Sequence, residues 1–460
     1  MPIPTHELIR RFSGPGPGYT SYPTADRFVE AFTAEQLVQA LAQRRNGTAA
    51  MRLPLSLGVH IPSGELLCCR GNCRRVVTKQ PARGETYLRY LGRELALYTG
   101  HLGAMEVVSQ LCLGGAGTTL LNDSELRQWM AMLRRSFRFA PDGNHSIDVD
   151  PRTVDAGRLA TLSELGFNQL KFAMQDSASA VQKAVHHMQP AKQVFSLAEA
   201  ARRASFESIG IDLIYGLPQQ TPESFDRVLA QALQLRPDRI ALHACDQLPW
   251  RLKPQCRMNA AEPPGVSARL YMLRQAFSVF YKAGYTHVGM GQFALPADAL
   301  AVAKRQGRLH RNLQGYSTQP DSDLISLGVS AIGKVGASYS QNSRTLEEYC
   351  DCLDQGRLPV AQGLALSRDD MVRRSIIMAL MCQGQLEFES IELAYLVDFK
   401  HCFAAELELL GALEKQGLVE VSDTGIQVTA MGCYFVRDVA MVFDRYLQAD
   451  RRRARFSRII

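Results

Sequence analysis

Short apolar runs that alternate with longer helical patterns constrain the fold of this chain more than any other feature. The six apolar runs lie at 55–61, 107–113, 145–150, 167–174, 209–217 and 239–245. Amphipathic stretches separate them, at 85–100, 124–137, 156–166, 194–205 and 222–235. Alternation of this kind gives βαβ units and a parallel sheet. Six units in series therefore predict an α/β fold with an open or partial barrel, whose chemistry gathers at the carboxyl ends of the strands.

The regions outside this alternation have different patterns. The first residues carry loop signals, including GPGPG at 14–18, and Thr33 begins a capped helix. Residues 289–345 are polar and rich in glycine, and their length predicts a functional loop. From about 366 the order helix, helix, helix, hairpin is typical of a winged-helix-like domain, with the hairpin turn at 423–425. We expect an N-terminal extension at 1–50, a barrel with a substrate-loop region at 51–365 and a helical domain at 366–460.

Composition excludes several classes of protein. The chain has 460 residues, of which 46% are hydrophobic and 21% charged, so a mainly disordered chain is excluded. No run of about 18 apolar residues occurs, and the N-terminus lacks an apolar signal region. We therefore expect a cytoplasmic protein without a membrane span. The net charge of +7 includes five arginines near the end, which are more typical of a solvated helix end than of a nucleic-acid site.

The cysteines suggest a metal or redox role for one short segment. Eleven cysteines in a cytoplasmic chain are expected to be reduced, so a disulfide framework is not predicted. Most are isolated, but Cys68, Cys69 and Cys73 lie close together. Thiolates are preferred ligands of zinc and of iron–sulfur clusters. A remodelled cluster, a zinc site and a loop with unused thiols all remain open.

Several motifs along nearly the whole chain resemble one enzyme family. They are GYTSYPTADRF (18–28), PLSLGVHIP (54–62), IDVDPR (147–152), IGIDLIYGLPQQTPESF (209–225), LHRNLQGYSTQ (309–319) and SRII (457–460). The chain resembles the oxygen-independent coproporphyrinogen III oxidases, radical S-adenosylmethionine (SAM) enzymes of heme biosynthesis. The resemblance implies a partial (β/α)6 barrel of the radical SAM type, a helical C-terminal domain and a monomer. It also implies oxidative decarboxylation of two propionates of coproporphyrinogen III to vinyl groups, which gives protoporphyrinogen IX.

The resemblance further implies a [4Fe–4S] cluster and SAM as cofactors. Three thiolates of a CxxxCxxC loop hold the cluster in the family, and SAM chelates the fourth iron. Here Gly64 and Gly71 stand at the first and third ligand positions, while Cys68 stands at the second. Because glycine has no side chain to donate, we expect standard radical SAM chemistry to be lost or altered. A remodelled ligand set would use Cys68, Cys69, Cys73 and Cys112.

Seven positions correspond to SAM contacts of the family. They are Gly114, Gly115, Asp148, Gln175, His187, Asp212 and Ile332. Asp148 replaces a family glutamate and His187 a family arginine, while Gly58 stands where the family has a SAM-contacting tyrosine. Asp212 is retained, but hydrogen bonds within the barrel would equally explain a polar residue in an apolar strand. The sequence identifies no catalytic residue.

Three functions remain open from the sequence. The leading hypothesis is a coproporphyrinogen-oxidase-like protein without standard radical SAM catalysis, which binds a tetrapyrrole such as coproporphyrinogen III or heme, or acts by interaction in heme metabolism. The second is an active coproporphyrinogen dehydrogenase with an altered iron–sulfur ligand set. The third is a nucleic-acid-binding module formed by the C-terminal domain and its arginine tail, whose binding would depend steeply on salt.

Overall fold

The computed structural model describes residues 4–12, 16–47, 53–61, 84–103, 105–115, 121–185, 188–245 and 263–449. All six predicted strands are present and pair in parallel, each with the next along the chain. They are β1 (Leu55–Ile61), β2 (Val107–Gly115), β3 (Arg138–Val149), β4 (Gln169–Ala173), β5 (Ser208–Tyr215) and β6 (Arg239–Ala244). The predicted α/β arrangement is confirmed.

The predicted helices lie between these strands. Helices α1 (His6–Arg11) and α2 (Ala34–Asn46) precede the sheet, and Thr33 is the N-cap of α2 as expected. The connections carry α3 (Gly84–Leu102), α4 (Asp123–Ser136), α5 (Ala156–Glu164), α6 (Ser179–Ala184), α7 (Ala191–Arg203) and α8 (Pro222–Leu235). Local signals set these ends: Asn122 caps α4 by accepting the Glu125 N–H at 3.0 Å.

Alternation along the strands divides the sheet into an outer and an inner face. On the outer face, apolar side chains are buried in one core with the surrounding helices, including Leu57, Leu111, Ile147, Leu170, Ile211 and Leu242. The alternate positions are small or polar, including Gly58, Cys112, Ser146, Lys171, Gly210 and Ala241. Successive strand residues point to opposite faces, so these positions form the inner face. We call the space that they border the lumen.

Residues 289–345 correct one expectation from the sequence. Helix α9 (Val266–Lys282) leads into strands, and the region predicted as a long loop carries α10 (Ala299–Arg305) and strands. The strands are β7 (Thr286–Gly289), β8 (Gln292–Ala294), β9 (His310–Asn312), β10 (Gly315–Ser317), β11 (Leu324–Leu327), β12 (Ile332–Val335) and β13 (Ser338–Asn342). Strand β11 pairs in parallel with β1, and β12, β13 and β14 (Val360–Ala365) follow in antiparallel order. These strands were missed because they are short and rich in serine and glycine.

The hairpin of β9 and β10 lies against the inner face. The Asn144 Nδ2 of β3 donates to Thr318 Oγ1, just after β10, at 2.9 Å. Gln314 Nε2, in the hairpin turn, donates to the Leu57 carbonyl of β1 at 3.1 Å. The hairpin therefore covers the lumen beside β1 to β3.

The C-terminal region has the predicted helices followed by a hairpin, with one additional strand and a fourth helix before the hairpin that the sequence did not predict. Helix α11 (Leu346–Asp354) precedes it, and its elements are α12 (Arg368–Gln383), β15 (Gln385–Glu387), α13 (Phe388–Tyr395), α14 (Phe399–Cys402), α15 (Ala404–Glu414), β16 (Val419–Val421), β17 (Gly425–Val428), α16 (Val436–Met441) and α17 (Arg445–Ala449). The three strands form a sheet in the order β15-β17-β16. Tyr19 and Tyr22 from the N-terminal segment are buried in the same apolar core. No helix in the described ranges is long and apolar enough to cross a membrane.

Candidate functional site

Four consecutive strands place ionisable residues on the inner face. Arg239, at the start of β6, lies on this face and pairs with Asp298. Four others are Asp148 on β3, Lys171 on β4, Asp212 on β5 and His243 on β6. Lys171 Nζ lies 3.4 Å from Asp212 Oδ2, and His243 Nε2 lies 3.4 Å from Asp212 Oδ1. Asp148 is the register partner of Lys171 on the neighbouring strand. We call these four residues the inner charged cluster.

Burial differs sharply within the inner charged cluster. The Asp212 side chain is fully buried, whereas the side chains of Lys171 and His243 are 41% and 36% exposed. A buried carboxylate is costly unless it is paired and hydrogen-bonded. Because a carboxylate only accepts hydrogen bonds, His243 Nε2 must carry the hydrogen that faces Asp212. Both oxygens of Asp212 therefore have a nitrogen of the protein beside them.

Cys112 faces the same lumen from β2. Its register partner is Ser146 on β3. Burial, followed by the negative charge of Asp148, raises the pKa of the Cys112 thiol to about 11. The thiol is therefore protonated at neutral pH when no metal is bound, which makes it a weak nucleophile and a weak ligand.

A side chain at Gly58 would displace its neighbours on the inner face. A Cβ atom on Gly58 would lie 2.8 Å from Ser326 Oγ and 3.3 Å from Gln314 Nε2. Gln314 is held there by its hydrogen bond to the Leu57 carbonyl. The space next to this position is therefore filled by the protein itself, where the family tyrosine would contact SAM.

Other predicted SAM positions lie at strand ends. Gly114 and Gly115 end β2. Gln175 follows β4, and its backbone N–H donates to Gln189 Oε1 at 2.8 Å. Gln189 Nε2 donates in turn to the Ala173 carbonyl at 2.9 Å, so the turn after β4 is fixed from both sides.

The remaining predicted residues are Ile332 and six positions outside the described residues. Ile332 begins β12, and its buried side chain packs with Phe28 and Tyr339. The positions outside the described residues are Gly64, Cys68, Cys69, Gly71, Cys73 and His187. In the part of the chain that is described, no group of three or more His, Cys, Asp or Glu side chains could hold a metal ion.

Sequence reasoning missed Lys171 and His243. The signal that would have found them is alternation with period two. Lys171 lies two residues after the polar Gln169, and His243 lies four after Arg239, so each pair shares a face of its strand. Extending that alternation along β4 and β6 would have placed both residues on the face that carries Asp212.

The parallel six-stranded partial barrel and its polar inner face define a protein of the radical SAM fold. One solved structure, described as "Coproporphyrinogen III oxidase (HemN) from Escherichia coli is a Radical SAM enzyme", matches with a TM-score of 0.89 and 39% identity. The match covers 97% of this chain and 100% of that one.

Sequence comparisons give the family. The oxygen-independent coproporphyrinogen III oxidase of Pseudomonas aeruginosa is 41% identical over 99% of this chain and 98% of its own length. The enzyme of the same description from Escherichia coli K12 is also 41% identical, over 98% of each chain. The family model for the HemN C-terminal domain matches residues 366–435. The chain belongs to the oxygen-independent coproporphyrinogen III oxidase family.

The described residues do not fit SAM in the arrangement that the family implies. Lys171 and His243 engage the retained Asp212 from the lumen side. Ser326 and Gln314 fill the space beside Gly58. Asp212, one of the seven positions predicted to contact SAM, is thus committed to contacts within the chain.

Proposed function

We propose that this chain is a coproporphyrinogen-oxidase-like protein of heme biosynthesis that binds a tetrapyrrole and lacks the standard radical SAM reaction. The observation that carries the proposal is glycine at two of the three cluster-ligand positions, Gly64 and Gly71. One thiolate of the motif remains at Cys68, and a single anchored ligand does not replace three.

The preserved architecture supports a role that still uses the barrel. Fold and site evolve separately, so a chain can keep its core and change its chemistry. The strands, the outer core and the β9–β10 hairpin are all present, while contacts within the protein occupy the predicted SAM position at Asp212. We place the protein in the cytoplasm as a monomer, with coproporphyrinogen III or heme as its ligand and without nucleic acid.

The decisive experiment measures iron and acid-labile sulfide after anaerobic reconstitution, together with the absorption near ~400 nm of thiolate-bound iron–sulfur clusters. We expect substoichiometric iron and sulfide in the unmodified chain. The matched variant carries Gly64→Cys and Gly71→Cys, which restores the ligand positions. We expect that variant to gain iron, sulfide and the absorption band.

Tetrapyrrole binding is tested on the same preparation. Coproporphyrin III, the stable oxidised form of the substrate, is titrated into the unmodified chain and followed by absorbance. Saturable binding is expected without any cluster. Stoichiometric iron and sulfide in the unmodified chain, with SAM cleavage on reduction, would overturn the loss of radical chemistry; the absence of any porphyrin binding would overturn the ligand assignment.

A second candidate is an active coproporphyrinogen dehydrogenase with an altered ligand set of Cys68 and Cys73 with Cys69 or Cys112. The observation in its favour is Cys112, which faces the lumen from β2 beside Ser146. Its high thiol pKa opposes that use. Substituting Cys68 and Cys73 by serine separates the two candidates. A chain with a functional cluster would lose the cluster absorption, whereas the absorption of a chain without a cluster would not change.

A further inference from the structure

We propose that Lys171 and His243 are specificity-determining residues: Lys171 neutralises Asp212 from inside the protein, His243 holds its second oxygen, and together they exclude a cationic adenosyl ligand from the lumen. This inference builds on the proposed function, because it names a physical reason why SAM is not used. It concerns residues that the family resemblance does not assign to any role.

The first step of the argument is geometric. Asp212 has two oxygens, and each faces a nitrogen of the protein at 3.4 Å. The carboxylate itself is fully buried, while the two side chains that face it are partly exposed. A ligand entering the lumen therefore meets Lys171 and His243 before it can reach Asp212.

The second step is electrostatic. Along three neighbouring strands the charges alternate in sign, from Asp148 to Lys171 to Asp212, and the His243 imidazole faces Asp212 from the fourth strand. Opposite charges at close range, away from bulk water, attract more strongly than exposed pairs. A sulfonium or ammonium group would have to compete with Lys171 for the same carboxylate and would be repelled by its charge. The cation that the carboxylate needs is already supplied by the chain.

The third step concerns the strands that present these residues. Asp212 lies on β5 beside Ala241 of β6 and Ala173 of β4, and both of these partners are small. Lys171 lies beside Gly210 of β5, which also has no side chain. These small neighbours leave room on the inner face for the long side chain of Lys171 to reach Asp212.

The test is a gain of binding. The Lys171→Met variant keeps the length of the side chain and removes its charge. SAM binding to the unmodified chain and to the variant is measured by equilibrium dialysis, with S-adenosylhomocysteine as the uncharged thioether probe. We expect the variant to bind SAM about tenfold more tightly than the unmodified chain. The gain for S-adenosylhomocysteine should be smaller, because that ligand lacks the sulfonium charge.

Three further variants make the result specific. Adding Asp212→Asn to Lys171→Met should abolish the gain, because the Asp212 carboxylate, no longer faced by Lys171, is what attracts the ligand. Lys282→Met on the exposed end of α9 is the matched control and should change nothing. Lys171→Gln, which removes the same charge but keeps a polar side chain, provides a second route to the same prediction if Lys171→Met fails to fold.

The possible outcomes separate this inference from the proposed function. A folded Lys171→Met chain that binds SAM no better than the unmodified chain overturns the exclusion by Lys171, and leaves the proposed loss of the cluster untouched. An unmodified chain that already binds SAM as tightly as the variant also overturns it, and in addition removes one support of the proposed function. A gain that survives Asp212→Asn contradicts the electrostatic cause.

Discussion

At the scale of single residues, burial and hydrogen bonding have opposite effects on the pKa of the Glu94 carboxyl group. This carboxylate of α3 is fully buried. It accepts hydrogen bonds from the Gly328 N–H at 2.7 Å, from Tyr349 Oη at 2.6 Å and from Asn342 Nδ2 at 2.6 Å. Desolvation outweighs these donors and raises the pKa of Glu94 to about 7. Glu94 thus joins α3 to the turn after β11 and to β13 and α11.

The raised pKa of Glu94 predicts a pH-dependent stability. Because the folded-state pKa exceeds the ordinary value of 4.5, the folded chain holds this proton more tightly than the unfolded chain. The contribution of Glu94 to the free energy of unfolding is fully present below pH 4.5 and is lost as the pH rises through about 7. The total loss is about 3 kcal/mol. Urea unfolding between pH 4.5 and 8 measures it.

Glu94→Gln isolates this contribution. The variant cannot ionise, so its free energy of unfolding should fall less over this range than that of the unmodified chain. Glu85→Gln, an exposed position on the same helix, is the control and should keep the original dependence. Identical pH profiles for the unmodified chain and Glu94→Gln would contradict the assignment.

At the scale of elements, a reciprocal cap determines where α8 begins. Thr221 Oγ1 accepts the Ser224 N–H, and Ser224 Oγ accepts the Thr221 N–H, both at 3.1 Å. Ser224 Oγ also donates to the buried Asp176 Oδ2 at 2.8 Å. The cap therefore ties the start of α8 to the turn that follows β4. Pro222 at the first helical position and these side chains are local signals, which is why the predicted bounds of 222–235 match the helix.

Removing the cap should weaken α8 and the loops joined to it. Thr221→Ala leaves the Ser224 N–H without its side-chain acceptor, and we expect the free energy of unfolding to fall by about 1 kcal/mol. Denaturant unfolding measures the change. Arg227→Ala, at an exposed position within α8, is the control and should stay within about 0.5 kcal/mol of the unmodified chain. Equal losses in the two variants would show that helix propensity, not capping, is responsible.

At the scale of the whole molecule, the N-terminal segment joins the barrel to the C-terminal region. Arg311 Nη2, on β9, donates to the Gly18 carbonyl at 2.8 Å, and its Nε to the Tyr19 carbonyl at 3.2 Å. Tyr19 Oη donates to Asp444 Oδ2 at 2.8 Å, and Arg437 Nη1 donates to the Gly16 carbonyl at 3.2 Å. One short segment thus contacts the hairpin that covers the lumen and the end of the C-terminal region.

Arg311→Ala should loosen that connection. Hydrogen bonds that involve a charged group each contribute about 1.5–3 kcal/mol, and the variant leaves the Gly18 and Tyr19 carbonyls without this donor. We expect limited proteolysis to cut within 16–22 several-fold faster than in the unmodified chain, as followed by mass spectrometry. The exposed Arg308→Ala is the control. Unchanged cleavage in Arg311→Ala would mean that the aromatic core around Tyr19 and Tyr22 holds the segment alone.

The sequence by itself determined the strands and helices of the barrel, the helices and hairpin of the C-terminal region and the family. These features rest on local periodicity, caps and contiguous motifs, which do not depend on distant parts of the chain. It also determined that glycine stands at positions 64 and 71, which the family resemblance implies are cluster-ligand positions. The domain bounds and the function remain predictions.

Only the tertiary structure decided which residues meet. β11 pairs in parallel with β1 although most of the barrel lies between them in the chain, and its four residues carry no signal of that partner. The contacts of Asp212 with Lys171 and His243 depend on the register of three strands and on which face each presents. Alternation within one strand gives the face of each residue, but the register between strands from distant parts of the chain is set when the sheet packs against its helices, so no single local pattern contains that register.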